Sequence, residues 1–353
     1  MCSEHHPTHH SLIRVAPREP AAQGQRHERI PLAPVDSVTI TTLCDNVTDM
    51  LLTDQGPAKR PLLSGAKAPR VSVQTLESRS GIDALRAEHG FSALVTVRSG
   101  DHEHRFLFDT GVSPDGMTEN MRRLDLSPKD VEVIVLSHGH FDHTAGLDGF
   151  IRSVGRPNLP VLIHPEFWTK RRLNIPGRSP IELPSTSRRA LEGAGFQIIE
   201  ERQPSFLFEG MVLITGEVDR TTTFETGFAV HEAERDGQWT AAPLILDDQA
   251  MIVNVRDKGL VVLTGCGHAG AVNILHYAKR LTGVERIHGV IGGFHLSGPL
   301  FEPVIQPTCD GLAALAPDVI VPAHCTGWRA THALAARFPD AFVQNSVGTR
   351  FEM

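Results

Sequence analysis

Four metal-ligating side chains fall within six residues in His138-Gly139-His140-Phe141-Asp142-His143. Imidazole nitrogens and a carboxylate at that density are the donors a divalent transition metal takes. Two alternating histidines plus an Asp-His pair exceed what one ion needs, so the spacing points to a two-metal site. The plain alternative is a His-rich surface loop, such as the set His5, His6, His9 and His10. Those residues follow no apolar run and have no carboxylate at the matching spacing, so the motif reads as a metal loop.

The elements around the loop must position it. Residues 131–137 form an apolar run that reads as a buried strand, so the four ligands emerge together at its C-terminal end. One loop cannot close two metal spheres, and three more histidines follow apolar runs: His268, His295 and His324. His268 and His324 are the preferred pair. Cys266 and Cys325 stand two and one positions from them; they read as small buried residues in tight turns, or as soft ligands or oxidation-sensitive thiols. Asp109, after the apolar run 106–108, is expected to orient the ligand loop from behind.

Periodicity and turn residues predict the remaining elements. Strands are expected at 38–43, 91–97, 105–108, 160–164, 211–215, 250–255, 260–264, 288–291 and 318–321. Helices are expected at 80–89, closed by a left-handed Gly90, and from Pro128, with Ser127 as its cap. Others should span 188–195, 271–281, 311–315 and 328–338. Residues 1–36 have no apolar periodicity and read as a disordered arm, with one domain over 37–353. Within it, residues 168–205 are basic and proline-containing, an inserted loop and helix that reads as solvated surface or as a lid over the metal loop.

The 353 residues carry a net charge of −7 and a pI of about 6.2. That balance argues against a nucleic-acid surface. No apolar run approaches the roughly 20 residues of a membrane helix. Cys2, Cys44, Cys266, Cys309 and Cys325 are odd in number and scattered, which argues against a disulfide framework and for the cytoplasm.

The stretch from Ser137 to Gly146, with Phe106-Leu-Phe-Asp-Thr-Gly111 ahead of it, resembles the metal-binding signature of the metallo-β-lactamase superfamily. The resemblance runs from about Val38 to the C-terminus. It implies an α/β fold, a four-layer αββα sandwich of two mixed sheets. It further implies that His138, His140 and His268 hold one metal, and that Asp142, His143 and His324 hold the second. An Asp usually bridges the two ions in this family, but no Asp lies between His268 and Cys309, and His295 sits where it would be expected. A neutral imidazole has one lone pair and cannot bridge in its place.

The phrases Thr264-Gly-Cys-Gly-His-Ala-Gly270, Gly292-Gly-Phe-His-Leu296 and Pro322-Ala-His-Cys-Thr-Gly327 narrow the resemblance. They look like a branch that contains metal-dependent hydrolases and proteins similar to a dihydropterin-methyl ribofuranosylaminobenzene phosphate synthase. Asn46 and Glu225 match polar positions of branch motifs and are expected to line the pocket, or else to serve as turn and cap residues. Arg220 is expected to meet an anionic substrate or to form a surface salt bridge.

The expected function is a metal-dependent hydrolase. Hydroxide made available at neutral pH by zinc, or by manganese or iron, would attack an ester, lactone or phosphodiester in a small anionic or phosphorylated molecule. Asp142 is the expected catalytic residue, ligating one metal and hydrogen-bonding the water. The alternatives are a pterin-related synthase and a non-catalytic metal or ligand sensor. Redox di-iron members carry an acidic residue where His140 stands, which argues against oxygen chemistry.

Overall fold

Strands with both side-chain phases apolar must be covered on both faces, and this chain has several. In Val133–Val135, the two valines join one hydrophobic core and Ile134 joins another. His102–Phe108 sends Phe106 and Phe108 to the first core and Leu107 to the second. Gly259–Thr264 splits Val261 and Leu263 from Leu260 and Val262 in the same way. Each such burial contributes about 1.5–3 kcal/mol.

The computed structural model describes residues 12–16, 29–61 and 69–353. One eight-stranded sheet runs in the order Gln197–Glu200, Pro160–Ile163, Val133–Val135, His102–Phe108, Ser92–Ser99, Ser37–Cys44, Arg350–Glu352, Ala58–Lys59. The second runs Ile13–Val15, Ser205–Leu207, Val212–Ile214, Met251–Val255, Gly259–Thr264, Ile287–Gly293, Val319–Ala323, with Pro34–Val35 beside Met251–Val255. Both are mixed. The first is parallel from His102–Phe108 to Gln197–Glu200, and the second from Gly259–Thr264 to Val319–Ala323.

The sheets face each other across a shared core. Helices Gly116–Arg123, Leu147–Val154 and Arg188–Ala194 cover the first sheet through Met117, Met121, Phe150 and Leu191. Helices Ala271–Thr282, Ile305–Leu315 and Trp328–Arg337 cover the second through Ile274, Leu275, Leu312 and Leu334. This is the expected four-layer αββα sandwich. Among the described residues, no helix is long and apolar enough to cross a membrane.

Several local expectations fail, each for a tertiary reason. No helix forms over 80–89: Ser80–Ile82 is a strand paired with Arg70–Ser72, and Gly90 is not left-handed. Asn120 takes the Arg86 N–H (3.0 Å) and donates to its carbonyl (2.9 Å), while Glu88 N–H donates to Asp45 O (3.0 Å), so these backbone groups are engaged outside a helix. Ser127 does accept from Lys129 N–H, but only a 3-10 turn follows at Pro128–Asp130 before the chain extends. Helices Gly116–Arg123 and Leu147–Val154 were not anticipated. Part of the expected arm is ordered: Ile13–Val15 and Pro34–Val35 are strands, and Ile30 and Val35 are fully buried. Residues 1–11 and 17–28, the rest of that arm, lie outside the described residues.

Segment 168–205 contains the expected helix, Arg188–Ala194, closed by left-handed Gly195. It also supplies Arg171–Leu173 and Ile181–Leu183, which join a separate four-stranded sheet in the order Ile181–Leu183, Arg171–Leu173, His231–Arg235, Gln238–Ala241. Strands thus stand where a loop was expected, and through Arg171 and His231 the sheet meets Asp247 and His140.

Candidate metal centre

Parallel strands release their polar ends on one side, and here both sheets do so toward each other. From the first sheet, His102–Phe108 ends at Asp109 and Val133–Val135 leads to the loop Ser137–His143. From the second, Gly259–Thr264, Ile287–Gly293 and Val319–Ala323 lead to Cys266 and His268, to His295, and to His324. Asp109 (φ 60°), His295 (φ 43°) and His324 (φ 48°) hold left-handed backbone that is costly for non-glycine residues. Such strain collects where side chains are aimed for chemistry.

Two groups of donor atoms result. In the first, His138 Nε2 lies 2.9 Å from His140 Nδ1, and His268 Nε2 lies 3.3 Å from that same nitrogen. Burial pushes all three imidazoles well below their ordinary pKa, so they are neutral with lone pairs available. In the second, Asp142 Oδ2 lies 3.3 Å from His324 Nε2 and 3.7 Å from His143 Nε2. Burial opposes charge on this pair, but the ions hold each other: Asp142 is pulled well below the usual carboxylate range, and Asp109 with Asp142 raises His143 to about 9. His324 Nε2 is buried with no hydrogen-bond partner.

The opposite nitrogens of the His138 and His143 rings are engaged, which fixes which nitrogen of each is free. His143 Nδ1 is 2.7 Å from Asp109 Oδ2. His138 Nδ1 is 2.9 Å from Ser137 Oγ, whose proton goes to Asp109 Oδ2 at 2.7 Å, so the hydroxyl accepts from the ring. Asp109 also accepts from Ser137 N–H at 2.6 Å. It thus stands behind the loop, held to Ser137 and His143. With these outward nitrogens of His138 and His143 tied back, their inward ones suit a divalent cation.

The other expected site residues differ in how near they come to these two groups. Cys266 Sγ is 3.1 Å from His143 Nε2 and lies among both donor groups. Cys325 donates to Cys266 O at 3.4 Å and groups with Cys266 and His295. His295 stands apart from the two main groups: its ring packs 4.1 Å from that of His268, and its Nδ1 has no partner. Asn46 reaches the site, with Oδ1 3.4 Å from His324 Nδ1 and Nδ2 3.2 Å from His89 Nδ1.

Glu225 accepts from Val272 and Asn273 N–H at 2.8 Å each, at the start of helix Ala271–Thr282, so it serves as that helix's cap. Arg220 spends its guanidinium on the carbonyls of His268 and Leu244. It supports the His268 turn instead of forming a surface ion pair.

Four contributors were not read from the sequence. Asp247 accepts from Gly139 N–H (2.8 Å) and pairs with buried Arg171 (2.7 Å). A Cβ on Gly139 would come within 2.2 Å of Phe167 O, so the loop is pressed onto that support. His231, from the separate sheet, lies 3.4 Å from His140 Nε2. Exposed His89 reaches within 3.9 Å of Asp142 Oδ2. Arg171, His89 and His231 stood in stretches read as basic surface, helix and connecting chain.

Comparison with known proteins agrees with this fold. The profile of the metallo-beta-lactamase superfamily matches residues 86–223. The chain is 28% identical over 296 residues, 81% of this chain and 98% of the relative, to the 7,8-dihydropterin-6-methyl-4-(beta-D-ribofuranosyl)-aminobenzene-5'-phosphate synthase of Methanocaldococcus jannaschii. It is 30% identical over 278 residues to an uncharacterised protein of the same organism, covering 78% of this chain and 98% of that one. The crystal structure of a metal-dependent hydrolase of the beta-lactamase superfamily superposes with a TM-score of 0.64 at 24% identity, covering 90% of this chain and 99% of that chain. With fold, ligand loop and full-length relatives in agreement, the chain belongs to the metallo-beta-lactamase superfamily.

Proposed function

We propose that the protein is a divalent-metal-dependent hydrolase of a small anionic substrate carrying an ester, lactone or phosphodiester bond. The observation that carries this reading is the pair of adjacent donor groups, His138/His140/His268 and Asp142/His143/His324. Zinc suits the nitrogen-rich set, with iron or manganese as the other candidates. Bound there, the metal would supply Lewis acidity and lower the pKa of a water molecule. Asp142, held ionised, would orient that water through Oδ2. His89, whose Nδ1 accepts from Asn46, presents its Nε2 at the mouth beside Asp142 and is placed to protonate a leaving group. The buried free thiols of Cys44, Cys266, Cys309 and Cys325 accord with a cytoplasmic location.

A second reading is a pterin-related synthase, favoured by similarity across 98% of the methanogen enzyme. One experiment separates the two. Untagged protein purified without chelator is analysed for metal and assayed on ester, lactone and phosphodiester panels, and on a dihydropterin with an aminobenzene riboside phosphate. Metal-dependent turnover of a panel substrate is expected. Turnover only with the pterin pair moves the synthase ahead, and bound metal without turnover of either leaves a sensor.

A further inference from the structure

Resting on that binuclear reading, we infer that the Cys266 thiolate is the ligand shared by the two metal sites. Its Sγ lies within 4.8 Å of the ligand atoms of Asp142, His143 and His324, and equally of those of His138 and His268. Among the described residues, Cys266 alone belongs to both groups. It answers the missing carboxylate: a thiolate has lone pairs for two cations, whereas an imidazole has one.

The local chain is built for this placement. Strand Gly259–Thr264 ends in the turn Gly265-Cys266-Gly267. A Cβ on Gly265 would lie 2.1 Å from Ser137 Oγ and 2.6 Å from Asp109 Oδ2, so the turn rests directly on the pair that orients the first loop. Gly267 has φ 69°, and its Cβ would meet Gly293 O at 2.6 Å, so the chain needs glycine there to bring Cys266 and His268 to one centre. Cys266 is buried, 3% exposed, beside His143.

With the thiolate, the Asp142/His143/His324 group reaches four protein donors, the number a zinc site takes before expanding for a fifth, and on the other side the same sulfur joins His138 and His268. His295 is then needed at neither ion. A soft sulfur ligand also moves the metal preference toward zinc, cobalt or iron(II) and away from manganese.

The test is a cobalt(II) titration of demetallated protein, read by equivalents bound and by the near-ultraviolet thiolate-to-cobalt charge-transfer band. Wild type and Cys325→Ser should bind two equivalents and show the band. Cys266→Ser should lose the band and weaken the second equivalent at least about tenfold. Cys266→Asp should regain two equivalents without the band. Circular dichroism checks the fold of each variant. Independently of any variant, zinc X-ray absorption of wild type should show sulfur at about 2.3 Å. Two equivalents in wild type with neither band nor sulfur overturn the shared thiolate and leave the binuclear reading standing. One equivalent or none overturns the binuclear reading itself. A band that survives in Cys266→Ser but not in Cys325→Ser also overturns the assignment, giving the ligand to Cys325.

Discussion

His231 Nε2 stands 3.4 Å from His140 Nε2, while His231 Nδ1 stands 2.8 Å from the carbonyl oxygen of Ala242. A carbonyl only accepts, so His231 Nδ1 carries the proton. Burial lowers the pKa of His231, so the ring is neutral and its Nε2 has a lone pair. His140 Nε2–H therefore donates to it, which leaves His140 Nδ1 bare toward His138 and His268. Replacing His231 with Phe should weaken metal affinity about 10–100-fold, the usual effect of losing a partner behind a ligand. Gln, whose carbonyl can accept, should stay within a few-fold of wild type. Chelator competition measures both, and equal losses in Phe and Gln variants would reduce His231 to packing.

Asp109 serves two candidate ligand histidines at once, His143 directly and His138 through Ser137. Asp109→Asn puts an amide donor where at least one of these groups needs an acceptor. Both metal equivalents should weaken, the one beside His143 by about 10–100-fold. Stepwise cobalt titration separates the two losses. Unchanged affinity at both steps would mean that Asp109 has no part in orienting the ligands.

Arg171 and Asp247 are almost fully buried, 4% and 1% exposed at their side chains, and pair at 2.7 Å behind Gly139. Arg171→Met strands the Asp247 charge, and demetallated protein should lose about 3–5 kcal/mol in urea denaturation. Arg171→Met with Asp247→Asn should recover part of that loss. If the double variant is the less stable of the two, the stranded charge is not the cause.

Burial pushes the Glu225 carboxyl above its ordinary value of 4.5, against the pull of two backbone N–H donors. Because its folded pKa exceeds its unfolded one, the protonated form favours the fold. That contribution is fully present below the unfolded pKa and is lost as pH rises through the raised folded pKa. Glu225→Gln cannot titrate. The Tm of wild type relative to Glu225→Gln should therefore fall as pH climbs from about 4 toward neutrality. A Tm difference that is flat over this range would contradict the raised pKa.

The six-residue motif and the histidines after apolar strands were legible by themselves, because ligand chemistry and strand periodicity are local. Val133–Val135 and Gly259–Thr264 declare two buried faces in their own residues, and so imply covering layers. Asp109 was legible for the same reason, standing at a strand end. The failures share one cause. Residues 80–89 carry helical composition, but Asn120 and Asp45, distant in the chain, take the backbone groups a helix would use. Lys170-Arg171-Arg172 reads as basic surface, yet Arg171 is buried because Asp247, 76 positions away, meets it. His231 is an ordinary residue in its local context, and Cys266 is legible only as a neighbour of His268. Their relation to the donor groups exists only once the two sheets face each other and the separate sheet closes behind His140. Local chemistry was written along the chain; which groups share one point in space was decided by long-range packing, to which local periodicity is blind.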